Sequence, residues 1–207
     1  MTVGRIGKTT NRFEDVIGAE ITAEREDIWG PMPGEVVNFD PATQTATVRP
    51  LYMPRHNGEP VQIADLQDVP VRFQRMGGFV MTTPVRAGDR VTLRPNMRNS
   101  AAFHEADGAF SSDDSRSFSL SDMEAELSGG EGASRPIQNF NGDHMEIRSE
   151  SGDFAIMMTE DGKFQMRGAQ GDWFALMADM AQALASDALP SSPVYADIAA
   201  RLAGMRA

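Results

Sequence analysis

With 207 residues, 41% of them hydrophobic and 24% charged, the chain can hold one large domain or two small ones, and its 19 glycines and 12 prolines point to many turns rather than a helical bundle. It has no cysteine, which excludes a disulfide framework and a thiolate zinc site and fits folding in a reducing cytosol. The net charge of -11 is uneven: residues 99–132 carry 1 basic and 8 acidic side chains, against 12 and 12 in residues 1–98 and 6 and 10 in residues 133–207, a balance opposed to generic duplex binding by phosphate neutralisation.

The first residues lack an apolar signal core, and no apolar run is long enough to span a bilayer, so neither classical export nor membrane integration is expected. Residues 1–29 form an extension whose stretch 11–28 predicts an amphipathic helix. Phe13, Val16, Ile17, Ile21 and Ile28 return to one side of a 3.6-residue period. That stripe is expected to dock either on the following domain or on another chain.

Gly30-Pro31-Met32-Pro33-Gly34 breaks the helix and opens a domain over residues 30–98. Stretches 35–39, 45–51, 69–73, 78–82 and 90–94 read as five short strands parted by turn residues, which predicts a small closed barrel of the oligonucleotide/oligosaccharide-binding (OB) type. Residues 99–135 are rich in Ser, Asp, Glu and Gly, have no sustained period and predict a long, acidic, irregular connector that wraps a neighbour.

Residues 136–171 carry a repeat in which Gly142, Gly152, Gly162 and Gly171 recur every nine or ten residues. Three strands are expected between them, over 144–148, 153–158 and 163–167, with Met145, Ile147, Phe154, Ile156, Met158, Phe164 and Met166 at period two. A meander this small is not stable alone, and residues 154–158 read as apolar on both faces, so identical copies are expected to share a core. In residues 172–207, Asp172 is placed to cap a helix with Trp173, Leu176, Met177, Met180 and Leu184 on one stripe, expected to pack on copies of itself. After the break at Pro190-Ser191-Ser192-Pro193 a last helix follows with Val194, Ile198, Leu202 and Met205 on one side.

Chemistry is sparse. His56, His104 and His144 lack partners at metal-ligand spacing, and the paired carboxylates Asp113-Asp114 and Glu124/Glu126 read as solvated surface before they read as a glycosidase pair. No phosphate-binding or nucleophile motif is present. The chain is therefore expected not to be an enzyme and to need neither cofactor nor metal. An alternative is a binding module for single-stranded nucleic acid or oligosaccharide, with Arg49, Tyr52, Arg72, Phe73, Arg75 and Phe79 as its cations and aromatics; Arg72 and Phe73 alternate in a strand and so point apart.

Taken together, Gly30-Pro31-Met32-Pro33-Gly34-Glu35-Val36, the run DLQDVPV at 65–71, Phe73-Gln74-Arg75-Met76-Gly77-Gly78-Phe79 and Pro84-Val85-Arg86-Ala87-Gly88-Asp89-Arg90-Val91 resemble the barrel of phage baseplate spike proteins. Ser119-Leu120-Ser121-Asp122 is similar to an element that follows that barrel, and the Gly-Asp repeats look like the β-spike. The His-x-His of an iron-binding tip is missing. The resemblance implies a mainly β protein with an N-terminal helix, an OB-like barrel, an intertwined trimeric β-spike of β-helix or β-prism form and short C-terminal helices. It further implies a virion protein, assembled in the host cytoplasm, that closes the tail tube, docks on hub or baseplate proteins and meets the host outer envelope, with no nucleic acid as partner. Its homotrimer core would comprise Met145, Ile147, Phe154, Ile156, Met158, Phe164, Met166, Trp173, Met177, Met180 and Leu184, and hub docking would fall to Phe13, Ile17 and Ile21.

Overall fold

The computed structural model describes residues 13–205 apart from 107, 113, 128, 130 and 187–191. It is mainly β and divides between Ser134 and Arg135 into two compact units.

In the first unit, α1 (Phe13–Asp27) precedes β1 (Met32–Asp40) and β2 (Thr45–Pro50), and two short strands, β3 (Arg55–His56) and β4 (Glu59–Pro60), pair as a hairpin. There follow β5 (Leu66–Arg72), β6 (Gln74–Met76), β7 (Phe79–Met81), β8 (Arg90–Pro95), the short helix α2 (Ala101–Ala106) and β9 (Met123–Glu126). The strands β1-β2-β5-β9-β8 close into a five-stranded, OB-like barrel, with β5 and β9 parallel and the other strand contacts antiparallel.

Period-two alternation fixes what enters the barrel. Val36, Val48, Val69, Val71, Val91, Leu93, Met123 and Ala125 are buried, and their sequence neighbours point outward. The β1–β2 turn is held by Asp40, whose carboxylate accepts hydrogen bonds from Ala42 N (2.8 Å) and Thr43 Oγ1 (3.1 Å). Gly34 is buried where a Cβ would meet Val48 Cγ1 at 2.7 Å and Leu93 Cδ1 at 3.1 Å, so the backbone itself completes the packing there.

Two expectations change. Stretch 78–82 does not enter the barrel: β6 and β7 form a separate hairpin around Gly77 and Gly78, both at positive φ, and every residue of both strands is exposed. The fifth barrel strand is instead β9, from the stretch read as irregular connector, which buries Met123 and Ala125 between β5 and β8. Its sequence, MEAE, has no β-branched residue and two carboxylates. Those carboxylates are tolerated because they face outward onto Arg72 and Arg94.

The second unit begins at Arg135 and holds β10 (Met145–Arg148), β11 (Ala155–Met158), β12 (Phe164–Gly168) and β13 (Gly171–Asp172) as one antiparallel sheet in chain order, then α3 (Trp173–Ser186) and α4 (Ser192–Met205). Asp172 Oδ1 accepts a hydrogen bond from Ala175 N at 2.8 Å and so caps α3. Helix α3 packs on α4, with Ala181 and Ala199 buried, so part of the surface expected to meet other copies is covered within the chain. The predicted break at 190–191 and the side chains of Leu202 and Met205 lie outside the described residues.

Candidate functional site

The Gly repeat builds two turns of one design. Ser149 N donates to Phe154 O (2.9 Å) and Thr159 N to Lys163 O (3.0 Å), while Gly152 N and Gly162 N donate back to Ser149 O and Thr159 O. Both glycines sit at φ 80°, a conformation other residues adopt only with strain. The Ser149 and Thr159 hydroxyl oxygens accept hydrogen bonds from Phe154 N and Lys163 N, which fixes where each new strand starts.

This register decides the sheet's two faces. Met145 pairs with Met158 and Met158 with Phe164, forming one rung; Ile147 pairs with Ile156 and Ile156 with Met166, forming a second. All six side chains share one face and all are exposed, from 38% for Met158 to 61% for Met145. The other face is polar on β10 and β12, with Glu146, Arg148, Gln165 and Arg167, while β11 sets Ala155 and Met157 between them and so is apolar on both of its sides, as residues 154–158 read in sequence. Glu146 receives Arg148 Nε at 3.3 Å and Arg167 Nη2 at 3.9 Å. Arg148 also donates to the carbonyls of Gln138, Asn139, Ser149 and Glu150, and Arg167 to Gly152 O. Ala155 is buried and Met157 half-buried on that side. The sheet thus closes one face with its own ion network and leaves the other open.

Beside the second rung, Ile147, Phe154, Ile156, Met166, Trp173 and Leu176 line an open, largely apolar hollow of about 800 Å3. Trp173, Leu176 and Met180 are exposed on α3, whereas Met177 and Leu184 are half-buried. A soluble monomer rarely leaves so many large apolar side chains contiguous and uncovered. Of the residues lining the hollow, Leu176 was placed by helical period alone. The ion network behind the sheet was missed, although its signal, Glu146/Arg148 and Gln165/Arg167 at period two, stands in the sequence.

In the first unit, the hub-docking candidates Phe13, Ile17 and Ile21 are exposed on α1 together with Val16, as is Ile28 just after it, so the stripe is not docked on its own domain among the described residues. The cations and aromatics proposed for strand binding are dispersed. Arg49 is held by Asp65 through two hydrogen bonds of 3.0 and 3.1 Å, and Arg72 by Glu124. Phe73 packs on the barrel core and edge-on to Phe39, Tyr52 stands edge-on to Trp29, and Arg75 and Phe79 lie on the β6–β7 hairpin.

The carboxylates weighed for catalysis are engaged with cations. Burial would raise the Glu124 carboxyl, but hydrogen bonds from Arg72 and Asn96 outweigh it and hold the group below the usual glutamate range. Glu126 pairs with Arg94 at 2.5 Å, and Asp114 with Arg116 and Asn99; Asp113 lies outside the described residues. His104 stands 3.7 Å from Glu124. Among the described residues, no three His, Cys, Asp or Glu side chains are grouped so as to hold a metal.

The Ser119-Leu120-Ser121-Asp122 element has a structural part. Asp122 is buried, its Oδ1 accepting from Ser100 N at 3.3 Å, its Oδ2 lying 3.2 Å from Arg116 Nε and its carbonyl accepting from Asn96 N. It staples the segment after β8 to the entry of β9.

Residues 32–127 match the family model of the phage protein Gp138 N-terminal domain. The match starts at the first residue of β1 and ends just after β9, so it covers the whole barrel and slightly under half of the chain. No curated protein matches the chain. Over its barrel the chain is similar to a phage protein domain, which supports a phage structural protein associated with the virion.

Proposed function

We propose that this protein is a structural component of a phage tail tip, a homotrimeric spike whose second unit supplies the shared core and whose barrel attaches it to the tail. The observation that carries the reading is the open apolar face of the Gly-repeat sheet, backed by a polar face already satisfied within the chain. Exposed in one copy, Met145, Ile147, Ile156, Met158, Phe164 and Met166 form a core once three copies bring those faces together. The barrel's likeness to a phage protein domain supplies the setting.

In this reading the role is mechanical and not catalytic. A stiff, interlocked body closes the tail tube and carries force to the host outer envelope, and the exposed stripe of α1, with Phe13, Ile17 and Ile21, offers an apolar contact to hub or baseplate proteins. Neither cofactor nor nucleic acid takes part.

Light scattering on the full-length protein at micromolar concentration tests the trimer. The expected mass is three times the 22.5 kDa chain. Ile147→Asp/Ile156→Asp is expected to reduce it to one chain while the barrel stays folded. A full-length monomer would refute the spike. Antibody labelling of phage particles then tests the location: label confined to one tail end is expected, and label on heads or on none of the intact particles would contradict it.

A further inference from the structure

The open face of the second unit is not uniform. The rung Ile147–Ile156–Met166 belongs to the hollow completed by Phe154, Trp173 and Leu176, whereas the rung Met145–Met158–Phe164 lies outside it on the same face. One surface therefore carries a socket and, one rung away, a row of apolar side chains left exposed among the described residues. Socket and row are different surfaces, which is what a head-to-tail contact needs, and a head-to-tail contact that closes makes a ring.

We infer that the socket is filled by a second copy of this chain, the row Met145, Met158 and Phe164 of one copy entering the hollow of the next. The inference rests on the trimer reading and adds its geometry: three equivalent row-into-socket contacts rather than three like surfaces meeting.

The nine side chains of row and socket are each 38–61% exposed. At roughly 150–200 Å2 apiece they bring about 800 Å2 to each row-into-socket contact with both partners counted, about half of a standard interface, so each copy is held by its two contacts together in the closed ring. The chemistry also favours a copy over a small ligand. A ligand pocket of this size sets a few convergent polar groups among its apolar walls, whereas here Arg148 and Arg167 are turned to Glu146 and to backbone carbonyls, and the Ser149 hydroxyl accepts from Phe154 N. Gln170 adds one exposed amide to the lining, and around it apolar side chains, not a polar headgroup or a sugar, fit what remains.

The absence of native cysteine makes the test direct. Three full-length variants, Met158→Cys, Leu176→Cys and the double variant, are oxidised and run on non-reducing gels beside light scattering of the same samples. The double variant is expected to give covalently linked trimers and the single variants none, because a row cysteine meets only a socket cysteine. Trimers in which a single cysteine links copies, or in which no variant links, overturn the row-into-socket contact and leave the spike reading standing. Monomers throughout overturn both.

Discussion

Replacing Gly34 by alanine tests the barrel's packing and reverses the ordinary expectation for such a change. In a strand, Gly→Ala normally stabilises by about 0.4–1 kcal/mol, because the unfolded chain loses freedom. Here the new Cβ would lie 2.7 Å from Val48 Cγ1 and 3.1 Å from Leu93 Cδ1, and both neighbours are fully buried, so neither has room to move aside. Overpacking of this kind costs about 1–3 kcal/mol, so the steric effect wins and the net change is a loss of roughly 1–2 kcal/mol. The assay is urea unfolding followed by Trp29, which packs on the barrel core, in a Trp173→Phe background that leaves it the single tryptophan. With a slope of about 1–2 kcal/mol per M, the midpoint is expected to fall by about 1 M. Val48→Ala removes the offending methyl, so Gly34→Ala added to it should cost little; a pairwise coupling of about 1 kcal/mol is the signature of direct contact. An unchanged midpoint in the parent, or the same loss in both backgrounds, would refute the packing argument.

The Glu124 carboxyl titrates below its unfolded range, so its contribution is fully present above about pH 4.3 and is lost as pH falls through the folded value. Barrel unfolding between pH 6 and 3 should therefore show a falling midpoint whose slope flattens in Glu124→Gln. Asp122→Ala should cost about 1–3 kcal/mol by leaving Ser100 N and the Arg116 guanidinium without their buried partner, measured as a lower thermal midpoint of the first unit. Gly162→Ala, at φ 80° in open space, should lose about 1 kcal/mol through backbone strain alone, whereas Gly142→Ala, which has no positive φ and open space, should lose less; parallel thermal melts of the second unit compare them.

Four of the five barrel strands were legible because Val36, Val48, Val69, Val71, Val91 and Leu93 alternate with polar residues, and period two survives any tertiary context. The fifth was not. Met123 and Ala125 carry little strand propensity, and Glu124 and Glu126 look like solvated acid until Arg72 and Arg94 are seen across the strand gaps. Phe79-Val80-Met81 reads as a strand and is one, but residue types do not say which sheet a strand joins. In the second unit, glycine spacing located the turns and period two located the apolar side chains. Which face stays open depended on pairing Glu146 with Arg148 and Arg167, a fact of register that no single strand carries.

That the barrel closes with β9 gives the order of the chain a meaning in time. Until residue 126 is synthesised, β5 and β8 have no strand between them and the barrel stands open; afterwards it can complete itself. The exposed apolar rungs and Trp173 come later, with roughly 40 residues separating β9 from the end of the sheet, or about 2–8 s at ordinary rates of synthesis. A barrel of this size folds within milliseconds to seconds. Each nascent chain can therefore finish its barrel before the open apolar face of the second unit is made, which keeps that face away from an unfinished barrel edge.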